Sequence, residues 1–410
     1  MKQSAGRPQI IPILTLGTAS ALLAVLCLAI PVYVIRPFRP QGARELAVAL
    51  TVRSLAPWIS GLCAAVVIFL LLWSWKRVGV VRRTSMVALS LVTVLAAVLT
   101  HINIFEIMFH PYDSPAFSPA GEAKMDADDK LLAVTIAGES HGYPIRTMGY
   151  HHIVNDTVGG VPIAVTYCTL CHTGLVGERS LDGKTLHFRL AGINNGNALM
   201  RDQETNSIWQ QSTGQAIFGP LKGNSLKIVR SDELTFALWK IEKPRGQLLK
   251  SDDRYATEYD PKDWEKHVEK TPAVVDTSRS GMDPHVLMLG VLTPGRAKAY
   301  PVKSLLAEKL IEDDGAGPAP LVLVVGPDQA SIRVFTAQLD GESSPLMLVR
   351  ATQPTDDRIM VDQQSGSLWN FHGCAIEGKW AGRCLTQLDA NKDYWFDWLN
   401  HHPGTTVYHD

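Results

Sequence analysis

At 410 residues the chain is too long for one ordinary domain, so two or three units are expected. A formal net charge of -1 supplies no strong global field and argues against a nucleic-acid partner. The apolar residues are spread unevenly and concentrate at the N-terminus.

From Pro8 to Ile35 no charged residue occurs, and the run is rich in Leu, Ile, Ala and Val. It is long enough to cross a hydrocarbon core of roughly 30 Å. Ser54 to Trp75 is a second uncharged run, with Trp58, Trp73 and Trp75 near its ends, where interfacial anchors sit. Thr84 to Phe105 is a third, interrupted only by His101 and Asn103 near its end. These runs predict transmembrane helices at about 8–35, 54–75 and 84–105 and a membrane anchor over 1–107. The length of the first run, the lack of a small-residue cleavage site and the two runs that follow argue against a cleaved signal peptide. Lys2, Arg7, Lys76, Arg77, Arg82 and Arg83 flank one side, against Arg36, Arg39, Arg44 and Arg53 on the other. That bias predicts an integral protein of the plasma (inner) membrane, with the lipid bilayer as its partner and everything after about residue 107 outside the cytoplasm.

Beyond the anchor the local signals are mostly strands. Val161–Tyr167 and Leu321–Val325 are short apolar runs bounded by Gly, Pro and Asp, as buried strands are. Thr185–Leu190 and Ser331–Phe335 alternate, as half-buried strands do. Asp182-Gly183 and Asp340-Gly341 read as hairpin-type turns, and a short helix is expected around Glu233–Trp239.

An internal repeat runs through this region. Asp202…Ser207-Ile208-Trp209 reads against Asp362…Ser367-Leu368-Trp369, and Gly214…Gly219 against Gly373…Gly378. Tyr143-Pro144-Ile145-Arg146 matches Tyr300-Pro301-Val302-Lys303, Trp239 matches Trp398, and Pro244 matches Pro403. The expected fold is therefore a three-helix transmembrane anchor followed by a mainly β (β-rich α+β) soluble domain built from two tandem copies of one unit. The copies are expected at 108–249 and 283–410, joined by a charged linker at 250–282. The recurring Trp209 and Trp369 are read as core packing.

The chemistry sits where the copies differ. Aligning Pro162 with Pro320 sets Cys168 opposite Gly326, and nothing like C-x-x-C follows in the second copy. Cys168-Thr169-Leu170-Cys171-His172 has the pattern of c-type haem attachment, two thiols for the vinyl groups and an adjacent histidine for the iron. Met148 or Met200 would then supply a sixth ligand, although the motif ends an apolar strand rather than opening a helix. Alternatively Cys168 and Cys171 cycle between dithiol and disulfide. A third option is copper or zinc held by Cys168, Cys171 and His172, with His372, Cys374 and Cys384 as further candidate ligands from the second copy. An oxidising compartment equally favours a plain Cys374–Cys384 disulfide.

Other features are weaker. Cys27 and Cys63 lie within apolar spans and read as small buried hydrophobes. The tandem His151-His152 and His401-His402 read as solvated loop residues. Arg146, Asn155, Asp156, Arg201, Asp202 and Gln211 are candidates to line a pocket, with turn capping the alternative for both aspartates. No G-x-G-x-x-G, Walker-type loop, G-x-S-x-G or H-E-x-x-H occurs.

The string Val154-Asn155-Asp156-Thr157-Val158-Gly159-Gly160-Val161-Pro162, then Thr166-Tyr167-Cys168…Cys171, then Asp202…Thr205…Ser207-Ile208-Trp209…Thr213-Gly214 resembles domain-of-unknown-function family 3179. The resemblance spans roughly Pro111 to Tyr408. It implies a C-x-x-C pair at this position and, commonly, a signal or membrane segment; the residue after the second Cys varies in the family, so His172 departs from any strict pattern. The leading expectation is an extracytoplasmic thiol-redox or metal site at Cys168 and Cys171. A c-type cytochrome-like electron carrier and a binding or assembly module with structural cysteines are the alternatives.

Overall fold

The computed structural model describes residues 10–355 and 357–409. Lys2, Arg7, Pro8 and Asp410 therefore lie outside the described residues. A helical unit up to Met108 and a β-rich unit beginning at Phe109 are each compact.

The helical unit comprises α1 (Ile10–Val34), α2 (Ala43–Ser74), α3 (Val80–Leu99) and the short α4 (Ile104–Met108). Three of these helices are long and apolar enough to cross a membrane. Their boundaries differ from the uncharged runs. α2 starts well before Ser54 because its first turns carry Arg44, Glu45 and Arg53, with Glu45 paired to Arg39; a charge does not stop a helix, only its burial in hydrocarbon. The third run breaks after Leu99, and Asn103 donates to Glu106 across the first turn of α4 at 2.8 Å. Small residues mediate the packing: Ala24, Cys63 and Ala96 form one buried cluster. Cys27 is also buried, so both cysteines serve as small apolar surface.

In the β-rich unit the chain first makes β1 (Phe117–Pro119), β2 (Lys130–Ile136) and β3 (Glu139–Pro144), then α5 (Ile145–His151). β4 (Ile153–Val158), β5 (Val161–Cys168) and β6 (Thr173–Glu178) follow as a meander, with a small hairpin of β7 (Ser180–Leu181) and β8 (Lys184–Thr185). Next come β9 (Phe188–Asn194), β10 (Asn197–Asp202), β11 (Ile208–Gln210) and β12 (Gln215–Phe218). β13 (Lys227–Ile228), β14 (Ser231–Thr235), α6 (Phe236–Glu242) and β15 (Gln247–Leu249) complete this half. Their sheets run β1-β15-β3-β2-β14, β13-β6-β5-β4 and β12-β11-β10-β9.

After α7 (Trp264–Val268) come β16 (Leu287–Thr293), β17 (Arg296–Pro301), α8 (Val302–Glu308), β18 (Leu310–Asp313), β19 (Leu321–Val325) and β20 (Ile332–Thr336). β21 (Leu348–Thr355), β22 (Arg358–Asp362), β23 (Leu368–Trp369) and β24 (Ala375–Glu377) form the next sheet. β25 (Gln387–Leu388), β26 (Ala390–Tyr394), α9 (Trp395–His401) and β27 (Thr406–Val407) end the chain. The sheets here run β26-β16-β17-β27, β18-β19-β20-β25 and β21-β22-β23-β24.

Several local expectations meet their outcome here. Asp182-Gly183 closes the β7–β8 hairpin with φ of 50° and 75°, as a type I′ turn requires. Asp340-Gly341 turns the chain between β20 and β21, which do not pair with one another, so it is no hairpin. Ser331–Phe335 was expected to be half-buried. Instead Ile332, Arg333, Val334 and Phe335 are all buried, because Ile332 and Val334 enter one core cluster and Phe335 another. Thr185–Leu190 is split between β8 and β9. The segment 250–282, read as a linker, packs into the fold: Trp264 is 6% exposed and joins the core of β2, β3, β5 and α5.

Candidate functional site

The candidate site starts from a hairpin. Cys168 is the last residue of β5 and pairs across with Thr173, the first of β6, so the C-x-x-C-H loop closes a short turn. That closure turns both thiols inward and places their Sγ atoms 3.5 Å apart. Both cysteines are free and buried. Their sulfurs face the Gly196 carbonyl, at 3.1 Å from Cys171 and 3.7 Å from Cys168. The Asn197 amide nitrogen lies 3.5 Å from Cys171 Sγ, 3.0 Å from Asp397 Oδ2 and 2.9 Å from Gln211 Oε1.

The second half closes the site. The Tyr394 amide of β26 donates to the Cys171 carbonyl at 2.8 Å. The Thr173 hydroxyl stands 2.7 Å from Asp393 Oδ1 and 3.2 Å from Asp397 Oδ2. Both aspartates are buried, Asp397 completely. Burial, and then the neighbouring Asp397, push the Asp393 carboxyl well above the usual carboxylate range. Burial, then the Cys168 contact and the Asp397 charge, push the Cys171 thiol up as well. The surroundings thus favour the protonated, neutral forms of Asp393 and Cys171.

His172 takes no part in this pocket. It adopts φ 60° at the end of the loop and turns its ring the other way. One ring nitrogen faces the Tyr167 hydroxyl at 3.1 Å and the other Glu265 at 2.9 Å. Trp264 and Tyr394 rings pack against it at 5.1 and 5.4 Å. Glu265 also accepts from Lys130 at 2.8 Å, and the His172 contact followed by Lys130 holds its carboxyl well below the usual range.

The remaining predicted residues disperse. Cys374 is bonded to Cys384, and His372 lies against Arg333 and Glu242, so neither joins Cys168 and Cys171. His151 and His152, expected to be solvated, are held instead: His151 between the His110 carbonyl and the Tyr259 hydroxyl, His152 against the Tyr167 carbonyl at 3.0 Å. Here too the residues of 250–282 supply the cover. His401 lies 3.4 Å from Asp397, and the His402 ring lies on Trp398 at 4.1 Å. Met148 and Met200 are core residues. Arg146 reaches Asp129 and the Asp260 carbonyl, while Arg201 donates to Asn206.

Asn155 brackets the Phe188 backbone, and Asp156 accepts from Tyr143 and faces His141. Asp202 takes the Thr205 amide and, at 2.8 Å, the Trp209 indole; Asp362 repeats this with Ser365 and Trp369. The Asp…Ser…Trp segments are thus packing and turn devices. Gln211 bridges Thr166 and the Thr173 carbonyl beneath the site.

Asn197, Glu265, Asp393 and Asp397 were missed from the sequence. Only Asp397 left a signal there, standing opposite Leu238 when Trp398 is set on Trp239. Among the described residues, the one group of three His, Cys, Asp or Glu side chains whose ligand atoms come within 4.8 Å of one another is the surface trio Asp126, Asp128 and Asp129. The thiol pair has no third such donor at that range.

The family described as a protein of unknown function, DUF3179, matches residues 106–405, and the chain belongs to it. No curated protein and no solved structure matches the chain.

Proposed function

We propose that this DUF3179 member is a membrane-anchored, extracytoplasmic thiol-redox protein in which Cys168 and Cys171 exchange electrons as a dithiol–disulfide pair. The observation that carries this reading is the 3.5 Å separation of two free sulfurs in a polar pocket where, among the described residues, no third His, Cys, Asp or Glu donor comes within 4.8 Å of both. A disulfide needs about 2.05 Å between sulfurs, a small rotation from here. Cys168, at 3% exposure the less buried of the two, is the attacking group. It gives up its proton and attacks one sulfur of a partner protein's disulfide, releasing one partner thiolate. Cys171 then gives up its proton, attacks the Cys168 side of the mixed disulfide and releases the second partner thiolate. Two electrons and two protons reach the partner.

The extracytoplasmic side is supported by the loop cations and by the Cys374–Cys384 disulfide, a bond that persists in oxidising compartments. The bilayer partner rests on the three apolar helices. We also read the soluble region as two copies of one unit. Sheet orders β15-β3-β2-β14 and β27-β17-β16-β26 support this, as do β13-β6-β5-β4 against β25-β20-β19-β18. The haem reading loses ground because His172 has both ring nitrogens engaged. Copper or zinc becomes the competing outcome of the test.

Full-length protein in detergent, poised with dithiothreitol or diamide, is alkylated and read peptide by peptide. Cys168 and Cys171 are expected to label together after reduction and to be protected together after oxidation. Identical labelling in both states overturns the reading, as does a stoichiometric metal lost in Cys168→Ala or a Soret band that survives denaturation.

A further inference from the structure

Next to Asp393, over the sheet face formed by Gly290 and Leu292 of β16 and Asn391 and Asp393 of β26, lies a cavity of about 160 Å³. Its polar lining includes Thr173, Ser212, Asp389, Asn391 and Asp393. Leu175, Leu292 and the Trp398 side chain form apolar wall. Gly290 makes room for that indole: a Cβ there would lie 2.0 Å from the Trp398 ring. Ser212 is only 9% exposed, and among the described residues neither its Oγ nor Asp389 Oδ1 has a hydrogen-bond partner in the protein. Buried polar atoms left unpaired are unfavourable, and a native fold keeps them where something else satisfies them.

We infer that this cavity is a binding site for a small organic cation, a primary ammonium group on a short aliphatic chain. The Asp389 carboxylate and the Ser212 hydroxyl suit the ammonium donors, and the Leu175, Leu292 and Trp398 wall suits the chain and the cation's charge. Burial and the nearby Asp232 push Asp389 up to about 6, so it is mostly ionised at neutral pH, with Arg230 offsetting only part of that push. His402, also on the wall, supplies no compensating charge, because burial pushes it down to about 4. A bare metal ion fits less well: among the described residues the cavity brings no three carboxylate, imidazole or thiol donors within 4.8 Å of one another. The site does not rest on the thiol reading and would stand if Cys168 and Cys171 were inert.

The test is thermal unfolding and calorimetric titration of the full-length protein at pH 7.5 with butylammonium chloride, against butanol, sodium butyrate and calcium chloride. Butylammonium is expected to raise the melting temperature in a dose-dependent way. Its apparent Kd should weaken at least tenfold in Asp389→Asn and several-fold in Ser212→Ala. Both variants should melt no lower than wild type without the amine, since each removes an unpaired or charged group. No stabilisation by butylammonium at millimolar concentration overturns the inference. So does an Asp389→Asn and a Ser212→Ala protein that both titrate like wild type, or a shift of equal size with calcium or butanol.

Discussion

Where β6 runs beside β26, the Tyr394 amide donates to the Cys171 carbonyl and the Thr173 hydroxyl meets two buried carboxyls. Where β14 runs beside β20, the Thr235 amide donates to the Ser331 hydroxyl and the Thr235 hydroxyl to Asp328. At each seam an amide donates across and a threonine hydroxyl meets carboxyl groups, yet the surrounding side chains follow opposite policies. At the second seam Arg333 is ion-paired with Asp232 and Glu242, each at 2.8 Å, and lies over the Phe371 ring at 4.5 Å. At the first, two carboxyls share one hydroxyl, two thiols share one carbonyl, and the adjoining cavity keeps unpaired oxygens. A polar network whose members are all satisfied secures a fold; one left incomplete stores binding or reactive capacity.

The comparison can be broken most forcefully at the second seam. Arg333→Met leaves the partly buried Asp232 and Glu242 without their buried cation and is expected to lower stability by about 3 kcal/mol in urea unfolding. A loss below 1 kcal/mol would mean that this seam is not held by its ions. Removing the Cys374–Cys384 bond with a double alanine variant should lower stability by about 3 kcal/mol, by the loop-closure relation. Its Cys168 and Cys171 labelling should stay as in wild type, which separates the disulfide-bonded cysteines from the pair proposed to exchange electrons.

Smaller effects belong to the first seam. Thr173→Val should cost about 1–2 kcal/mol, since it removes the hydroxyl between two carboxyls; it should also change the pH dependence of Cys168/Cys171 oxidation, a readout that packing alone would not move. Asp389→Asn is the gentlest. The folded-state pKa of Asp389 is raised to about 6, so ionisation there opposes folding above that pH. The variant should therefore melt about 2–4 °C higher than wild type at pH 7.5, with the gain fading as pH falls from 6 toward 4. Asp232 and Arg230 act on the same carboxyl, so the midpoint of that fade reports all three.

Much of this was legible in the sequence, because the signals were local. Uncharged runs announced the three long apolar helices, although α2 begins earlier since Arg44 and Glu45 are compatible with a helix outside hydrocarbon. Alternation and apolar runs marked the strands, and Asp182-Gly183 marked a hairpin. Cys168 and Cys171 stood out from their spacing alone. The segment 250–282 misled because its charged composition hides Trp264, one aromatic that inserts into the core and carries Glu265 onto His172.

The amino-acid order by itself determined the apolar helices, the strand-rich region and the pairing of two thiols on one tight turn, since each depends on residues a few positions apart. Only the tertiary structure decided what surrounds those thiols. Asp393 and Asp397 lie more than two hundred residues downstream, and their approach depends on two sheets meeting. His172, adjacent to Cys171 in sequence, was turned away from it by a single left-handed residue in the backbone.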